Sequence, residues 1–291
     1  AQSIIEKIIA YELTPPEGDW RHQILAVTDE LEIGANYPML SDSLLQDYYP
    51  SEPFAVEKVY WKFNYTDLTE TRNAIQNAFN SGKFLVNYIG HGAPYEWGKY
   101  ETLFSTDDIN VLQPQDKLPI ILAMTCSEGY FISPKLYSSG EEAVGEVITR
   151  TVGKGAVASW SPTGWGSIYG HDYLNRGFFK AIYQDGENIV SAATYSGLLS
   201  LWATGDNLDL LDTYLLFGDP AMRMVLNLTA VSDSYSIAED NTLIVSAQEG
   251  VLSNDINPGN ESLNAILIND VYAGKLTLNE DGSFTYIPEA D

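Results

Sequence analysis

The sequence is short of the residues on which several functions depend. Its single cysteine excludes an intrachain disulfide, and this cysteine and the three histidines, at positions 22, 91, 126 and 171, lack the close spacing of a zinc site. Only 15 lysine and arginine residues stand against 40 aspartate and glutamate residues, which gives a formal net charge of −25. A chain this acidic offers no basic surface to nucleic acid or to an anionic membrane. No apolar run approaches the ~20 residues of a membrane span.

What the sequence does contain is enough apolar surface for a large core. Hydrophobic residues make up 45% of the chain and aromatic residues 12%, which excludes a disordered protein. The charge distribution then marks a boundary, because residues 229–291 carry 11 acidic residues and 1 basic residue. Apolar residues in this tail come in short runs between Asn, Asp and Gly, a pattern typical of strands and turns. We therefore predict a larger domain at 1–228 and a small all-β module at 229–291.

The larger domain alternates between strand and helix patterns. Apolar runs at 23–29, 56–61, 84–90, 119–125 and 155–160 predict buried strands. Helical patterns between several of them indicate an α/β fold with a mostly parallel sheet covered on both faces. In such folds, functional residues gather at the carboxyl ends of the strands.

Helices are predicted at 141–151, at 189–202 and at the start of the chain. In the first helix, Ser3 and Glu6 have the spacing of a capping box. Four isoleucines of this helix fall on one face, and we expect that face to be buried: Ile4, Ile5, Ile8 and Ile9.

Two of the predicted strands run directly into chemically active residues. Strand 84–90 is followed by His91 and Gly92, and strand 119–125 is followed by Cys126. If the two strands are neighbours, both side chains leave the same edge of the sheet. Cys126 could then act as a thiolate nucleophile, with His91 as the base that ionises it and the acid that protonates the leaving amine. The backbone N–H groups of Gly92 and Cys126 are candidates for an oxyanion hole.

Each of these residues also has a structural interpretation. A lone cysteine after a buried strand is often an inert core residue, and a lone histidine there often closes a turn. The pairing of Cys126 with His91 at two strand ends favours the catalytic interpretation. His171, which is followed by Asp172, is a rival base. Because no second nucleophile occupies a matching strand end, N-terminal capping of a helix is favoured for it.

Three segments resemble the gingipain-type cysteine peptidases, family C25 of clan CD: NYIGHG (87–92), LPIILAMTCSEGYF (118–131) and LLFGDPAMRM (215–224). The resemblance spans nearly all of residues 1–228. It implies a caspase-like three-layer α/β/α sandwich and a secreted or surface endopeptidase, which cleaves proteins or peptides through a thioester on Cys126. A transpeptidase of the sortase type and a catalytically inert adhesion protein are the alternatives.

The resemblance also implies supporting roles near the histidine and in the substrate pocket. Family members carry a carboxylate after the first strand that orients the histidine, and Asp29 matches this position best, with Glu30 as the neighbouring alternative. The pocket has apolar and aromatic walls and, in the basic-selective members, an acidic base. Core packing, or a solvated loop charge, is the alternative interpretation for its residues. The positions implied for the pocket are Ile89, Met124, Trp160, Trp165 and Glu32.

The tail at 233–291 resembles the bacterial cadherin-like, VCBS-type β-sandwich repeats of surface and secreted proteins, through GVLSNDINP and GKLTLNEDGSFTYIP. On these resemblances, we expect the chain to stop inside such a module and to begin inside a C25 domain. We therefore expect a partial module, a missing N-terminal portion, and a separate N-terminal chain or propeptide as a partner. The chemistry requires no cofactor. Structural calcium fits the acidic tail, with solvated turn acids as the alternative, and its candidate ligands are Asp233, Glu239, Asp240, Asp255 and Asn257.

Overall fold

The chain forms two compact units, residues 1–226 and residues 227–291. The structure is a computed structural model that describes residues 2–50, 54–132, 142–224, 226, 230–238, 241–255, 257 and 262–289. Two of the proposed calcium ligands, Glu239 and Asp240, lie outside the described residues.

The first unit is built from alternating strands and helices. In chain order, its strands are β1 (Gln23–Thr28), β2 (Ala55–Tyr60), β3 (Leu85–Ile89), β4 (Gly92–Ala93), β5 (Glu96–Trp97), β6 (Phe104–Ser105), β7 (Ile120–Met124), β8 (Ala158–Pro162) and β9 (Tyr214–Phe217). Its helices are α1 (Gln2–Leu13), α2 (Tyr37–Tyr48), α3 (Leu68–Ser81), α4 (Thr106–Val111), α5 (Val144–Arg150), α6 (Ile168–Tyr183), α7 (Val190–Trp202) and α8 (Leu210–Thr213), with a 3₁₀ helix at Asp19–His22.

A six-stranded sheet with the order β2-β1-β3-β7-β8-β9 forms the centre of this unit. The first five strands pair in parallel, and β9 runs antiparallel to β8. The mostly parallel sheet predicted from the apolar runs is therefore confirmed. The fifth strand begins at Ala158 rather than at residue 155. The short strands β4, β5 and β6 form a separate antiparallel sheet directly after β3.

Helices cover both faces of the central sheet. Side chains that alternate along each strand point into two different cores, as the pleat of a strand requires. In β1, Ile24 and Ala26 pack into a core shared with α1, α2, α6 and α7, whereas Leu25 and Val27 pack into a core shared with α3, α4 and α5. The result is the predicted three-layer α/β/α sandwich.

The first helix is present, but it buries a different face from the one predicted. Ile5 and Ile9 are 56% and 50% exposed, whereas Ile8, Tyr11 and Lys7 are buried. The reason is the buried ammonium of Lys7, which donates hydrogen bonds to three backbone carbonyls and so fixes the rotation of α1. These carbonyls belong to Ile148 (3.3 Å), Lys154 (3.0 Å) and Ala156 (2.8 Å). The predicted capping box is also absent, because the Ser3 hydroxyl donates to the Arg150 carbonyl at 2.7 Å.

The second unit contains an antiparallel sheet of three strands. They are β10 (Leu243–Val245), β11 (Lys275–Leu278) and β12 (Phe284–Ile287), in the order β10-β12-β11. Val245 and Phe284 are buried in its small core, and the Tyr235 ring packs edge-on against Phe284 with centroids 4.8 Å apart. The small β module predicted for the C-terminal end is thus present. In the described part of both units, no helix has the length and apolar character needed to cross a membrane.

Candidate active site

The structure brings His91 and Cys126 to the same edge of the sheet. Strands β3 and β7 are parallel neighbours in which Ile89 pairs with Met124, and each active residue follows two positions after its member of this pair. Adjacent strands lie about 4.8 Å apart. The Gly90 N–H donates to the Met124 carbonyl at 3.2 Å, so the pairing continues one residue beyond the strands. The histidine and the cysteine therefore leave the sheet side by side.

Gly92 allows the two loops to pack directly on one another. A Cβ atom at this position would lie 2.5 Å from Thr125 Oγ1 and 3.2 Å from the Glu96 carbonyl oxygen, closer than side chains normally approach. Thr125 is fully buried and immediately precedes Cys126. A glycine after His91 is thus required by the close approach of the histidine loop to the cysteine strand.

The backbone of His91 is held at both its polar groups. Its N–H donates to Asp29 Oδ2 at 3.3 Å, while its carbonyl accepts from the Gly98 N–H at 2.8 Å and from the Tyr88 hydroxyl. The imidazole packs edge-on against the Tyr37 ring, with centroids 5.8 Å apart. The hydrogen bonds fix the position of the His91 backbone, and the contact with Tyr37 limits the rotation of the imidazole.

The imidazole itself is held by Glu32. The Oε1 atom of Glu32 lies 2.7 Å from His91 Nε2 and accepts from the Tyr37 hydroxyl at 3.2 Å, while Oε2 lies 2.6 Å from Lys99 Nζ. Hydrogen bonds from Lys99 and His91 lower the pKa of Glu32 to about 2. Glu32 is therefore an anion at neutral pH. Because Glu32 occupies Nε2, Nδ1 is the ring nitrogen left for chemistry.

The two carboxylates after β1 make contacts that differ from those predicted for them. Asp29, expected to orient the ring, accepts the backbone N–H groups of His91 and, at 2.8 Å, of Glu30. Burial raises the pKa of Asp29, and these N–H donors partly oppose that effect. Glu32, expected at the base of the substrate pocket, makes the ring contact instead. Asp29 thus supports the loop that carries His91, whereas the hydrogen bond to the imidazole that was expected of Asp29 is made by Glu32.

A short turn explains why Glu32 reaches the histidine. Glu32 and Ala35 exchange two backbone hydrogen bonds of 3.1 Å, so the chain reverses directly after Glu32. Gly34 within the turn has a φ of 89°, which only glycine adopts readily. This glycine is a signal in the sequence that the chain can reverse in this loop.

The loop after Cys126 is tightly constrained. Ser127 has a φ of 56°, a left-handed conformation that is uncommon for residues other than glycine and is often found at functional sites. Its N–H donates to the Gly164 carbonyl, and the Gly129 N–H donates to the Pro162 carbonyl, both at 2.8 Å. The N–H of Cys126 donates to no acceptor among the residues that the structure describes.

The segment after β8 lies beside the thiol and rests on His171. Cys126 Sγ is 3.9 Å from the Gly166 carbonyl oxygen. A Cβ atom at Gly166 would lie 2.4 Å from His171 Nε2 and 2.5 Å from Leu210 Cδ2. His171 is buried, its Nε2 has no hydrogen-bond partner in the described part of the chain, and burial lowers its pKa to about 4. The capping role predicted for His171 is wrong, because Ser167 is the N-cap of α6.

The loop after Cys126 carries a second, fully buried carboxyl group, that of Glu128. Its Oε1 accepts from Trp97 Nε1 at 3.4 Å, and Ser161 lies next to it. Trp97 belongs to the small sheet that follows His91, so this hydrogen bond links that sheet to the loop after Cys126. Burial raises the pKa of Glu128 to about 7.

Glu128 predicts a pH-dependent stability. Its pKa rises from the ordinary 4.5 to about 7 on folding, so its contribution to stability is complete below pH 4.5 and is lost as the pH rises through 7. Glu128→Gln carries no charge, and we expect it to gain about 3 kcal/mol of unfolding free energy relative to the wild type between pH 5 and pH 8. Urea denaturation across this range measures the difference. The exposed Glu17→Gln is the control, and a pH-independent difference for Glu128→Gln would contradict the prediction.

The family profile described as peptidase family C25 matches residues 1–225, which is most of the chain. The chain belongs to peptidase family C25. The profile of a bacterial Ig domain matches residues 227–291. The C25 domain is therefore followed in the chain by a bacterial β module of the kind that the sequence indicated.

Two curated relatives of the C25 domain come from Porphyromonas gingivalis. Gingipain R2 is 29% identical over 195 residues, a match that covers 64% of this chain and 25% of that protein. Gingipain R1 is 30% identical over 160 residues, covering 52% of this chain and 16% of that protein. The chain thus spans about a quarter or less of the length of these relatives.

Solved structures share the fold of the C25 chain. The Arg-specific cysteine proteinase gingipain R (RgpB) superposes with a TM-score of 0.61 at 20% identity, over 99% of this chain and 66% of that one. The complex of the RgpB pro- and mature domains gives a TM-score of 0.63 at 19% identity, over 99% and 67%. This likeness confirms the predicted caspase-like fold.

Besides Glu32, four positions of the C25 domain were implied to contact substrate, and the structure separates them into two groups. Trp165 is 83% exposed in the segment beside the thiol. In contrast, Ile89, Met124 and Trp160 are at most 5% exposed and belong to the core between the sheet and its helices. Trp160 packs against Phe178, with ring centroids 5.9 Å apart. These three side chains therefore offer very little surface to a substrate, so their burial does not support the pocket role expected for them.

The described residues contain no group of three or more His, Cys, Asp or Glu side chains placed to hold a metal ion. Asp255 Oδ1 accepts the Val231 N–H at 2.8 Å, and Asp233 Oδ1 accepts from the Tyr235 hydroxyl at 3.3 Å. Asn257, the remaining candidate that the structure describes, also makes a polar or ring contact.

Proposed function

We propose that this C25 chain is a cysteine endopeptidase in which Cys126 is the nucleophile and His91 is the general base and acid. Membership of a cysteine peptidase family supports the reaction class. The observation that carries the assignment is the placement of the two residues at the ends of neighbouring parallel strands, with the His91 ring held by Glu32. No cofactor enters this chemistry.

In the proposed mechanism, His91 accepts the Cys126 thiol proton on Nδ1. The Sγ atom attacks the carbonyl carbon of the scissile bond, and the N–H groups of Cys126 and Gly92 bind the oxygen that becomes negative. The imidazolium then gives its proton to the leaving amine, and a thioester remains on Cys126. Water, deprotonated by His91, hydrolyses the thioester and restores the thiol. Throughout, Glu32 stabilises the imidazolium from the Nε2 side.

Substrate binding is proposed along the segment after β8. Gly166 places its carbonyl beside the thiol, and Trp165 presents an exposed ring next to it. Trp165 would form one wall of the primary pocket. Glu32 is engaged by His91 and Lys99, so it does not supply the acidic base of an arginine- or lysine-selective pocket.

A proteome digest followed by N-terminal sequencing of the products tests the proposed function. We expect new N-termini that share a preferred residue before the cleaved bond and that disappear when the digest is made with Cys126→Ala. An added amine nucleophile separates the alternatives, because a transpeptidase would form ligated products. The absence of any new N-termini would contradict the proposal and favour an inert adhesion protein.

We also propose a secreted or surface location, on the basis of the bacterial Ig domain and the gingipain relatives. The solved complex of RgpB pro- and mature domains supports a propeptide as a partner of this chain. Calcium binding by the C-terminal module stays a prediction. Calorimetric titration with calcium tests it, and the absence of both heat and a change in melting temperature would remove it.

A further inference from the structure

One carboxylate connects the imidazole to a cation on a different loop. Gly98, whose N–H donates to the His91 carbonyl at 2.8 Å, has a φ of 109° and directs the following residue back towards the histidine. That residue is Lys99, whose Nζ lies 2.6 Å from Glu32 Oε2. Since Glu32 Oε1 lies 2.7 Å from His91 Nε2, lysine and imidazole occupy the two oxygens of the same group.

Among the residues that the structure describes, no other restraint of comparable strength acts on the Glu32 carboxylate. Glu32 extends from a two-residue turn whose neighbours Leu31 and Ile33 are exposed, so packing does not fix its side chain. The Tyr37 hydroxyl is a third donor, at the longer distance of 3.2 Å. A lysine that binds the outer oxygen therefore restricts the inner oxygen to the position facing His91.

Lys99 also changes the charge balance at the catalytic pair. A cation this close opposes any further positive charge and favours the loss of protons from its neighbours. The titratable groups that surround the His91 ring from other elements are Asp29 at the end of β1, Glu32 in the turn after β1, Tyr37 at the start of α2, Tyr88 in β3, Cys126 after β7 and Lys99 after β5. Among them Lys99 is the one permanent cation.

We propose that Lys99 is a positioning residue for the catalytic pair, which holds Glu32 against His91 and offsets part of the negative charge that Glu32 and Asp29 place there. This inference rests on the proposed function, in which His91 and Cys126 carry out peptide cleavage. Without Lys99, the carboxylate is free to turn to solvent, and the positive charge that favours proton loss near the imidazole is absent.

The variant Lys99→Met tests both effects. We expect kcat to fall about fivefold with little change in KM, because one partly exposed charged contact is lost. We also expect the whole pH profile of kcat/KM to move about half a unit to higher pH. Lys99→Arg keeps the charge and should restore both quantities. Lys180→Met is the matched control, because Lys180 forms an exposed pair with Asp185 at 2.6 Å in the last turn of α6, remote from the site.

A double variant shows whether Lys99 acts through Glu32. In a Glu32→Gln background, Lys99→Met should lower kcat less than about twofold, because the contact that it would break is already weakened. Equal losses in both backgrounds would overturn the proposal. So would an unchanged pH profile in Lys99→Met, or a Lys99→Arg variant as impaired as Lys99→Met.

The alkylation rate of Cys126 by iodoacetamide provides a readout that needs no peptide substrate. Cys126 is the only cysteine of the chain, so the labelling is specific. If no peptide is cleaved but Lys99→Met still moves the pH profile of alkylation, the peptidase proposal fails and the charge coupling stands. If peptides are cleaved and the alkylation profile does not move, the Lys99 proposal fails alone.

Discussion

The Cys126→Ala variant should hydrolyse peptides about 10⁴-fold more slowly than the wild-type chain, because no thioester can form without the Sγ atom. The fold should be unaffected. Cys126 is half-buried, and the hydrogen-bond contact of its thiol is the weak one to the Gly166 carbonyl at 3.9 Å. Fluorogenic peptide assays measure the first expectation, and urea denaturation should place the two unfolding free energies within about 1 kcal/mol of each other.

The His91→Ala variant extends this prediction to the second member of the pair. Turnover should fall about 10³-fold, since the base that ionises the thiol and protonates the leaving amine is removed. His22→Gln is the matched control, because His22 directly precedes β1 and lies at the opposite edge of the sheet. Full activity in His91→Ala or in Cys126→Ala would contradict the assignment, as would equal losses in His91→Ala and in His22→Gln.

The Trp97→Ala variant should lose about 3–5 kcal/mol of unfolding free energy, the largest loss of stability expected for a single side chain of the site. Trp97 is fully buried and stacks on Tyr88 with centroids 4.6 Å apart, and its other ring neighbour is Phe104 at 4.9 Å. The substitution leaves a cavity between the small sheet and β3. It also removes the indole N–H that Glu128 accepts.

Two further variants make the Trp97 prediction specific. Trp202→Ala removes an indole that is 64% exposed and should cost less than about 1 kcal/mol. Trp97→Phe keeps a stacked ring but removes the donor to Glu128, so we expect an intermediate loss of about 1–2 kcal/mol. Urea denaturation at pH 7 measures all three. Similar losses in Trp97→Ala and Trp202→Ala would show that the small sheet is not part of the folding core.

The architecture was predictable because it depends on patterns that lie close together in the sequence. Apolar runs of strand length, separated by helical periods, define a parallel sheet, and the carboxyl edge of that sheet is where His91 and Cys126 both emerge. The faces of individual helices were less predictable. In α1, the isoleucine pattern indicated one face, yet a buried lysine with three carbonyl partners determined another.

The supporting groups of the site could not be read from the sequence, because they depend on how loops turn back. Asp29 directly follows a strand and was the natural partner for His91, but a side chain at that position reaches only the backbone. Glu32 reaches the ring because the chain reverses at Gly34. Likewise, the family resemblance implies that Met124 lies near the pocket, but exposure depends on packing that a motif does not encode.

The solitary thiol of this chain has a consequence for its redox chemistry. An oxidised nucleophile in many proteins is rescued when a neighbouring cysteine condenses with the sulfenic acid, and reduction of that disulfide returns the thiol. Cys126 has no such neighbour, because the chain contains no second cysteine. Mild oxidation of Cys126 therefore cannot be resolved by an intrachain disulfide, and its sulfenic acid is left to condense with a thiol of another molecule, to form a sulfenamide with a backbone nitrogen, or to be overoxidised. Recovery of the active form then depends on a reductant supplied by its surroundings.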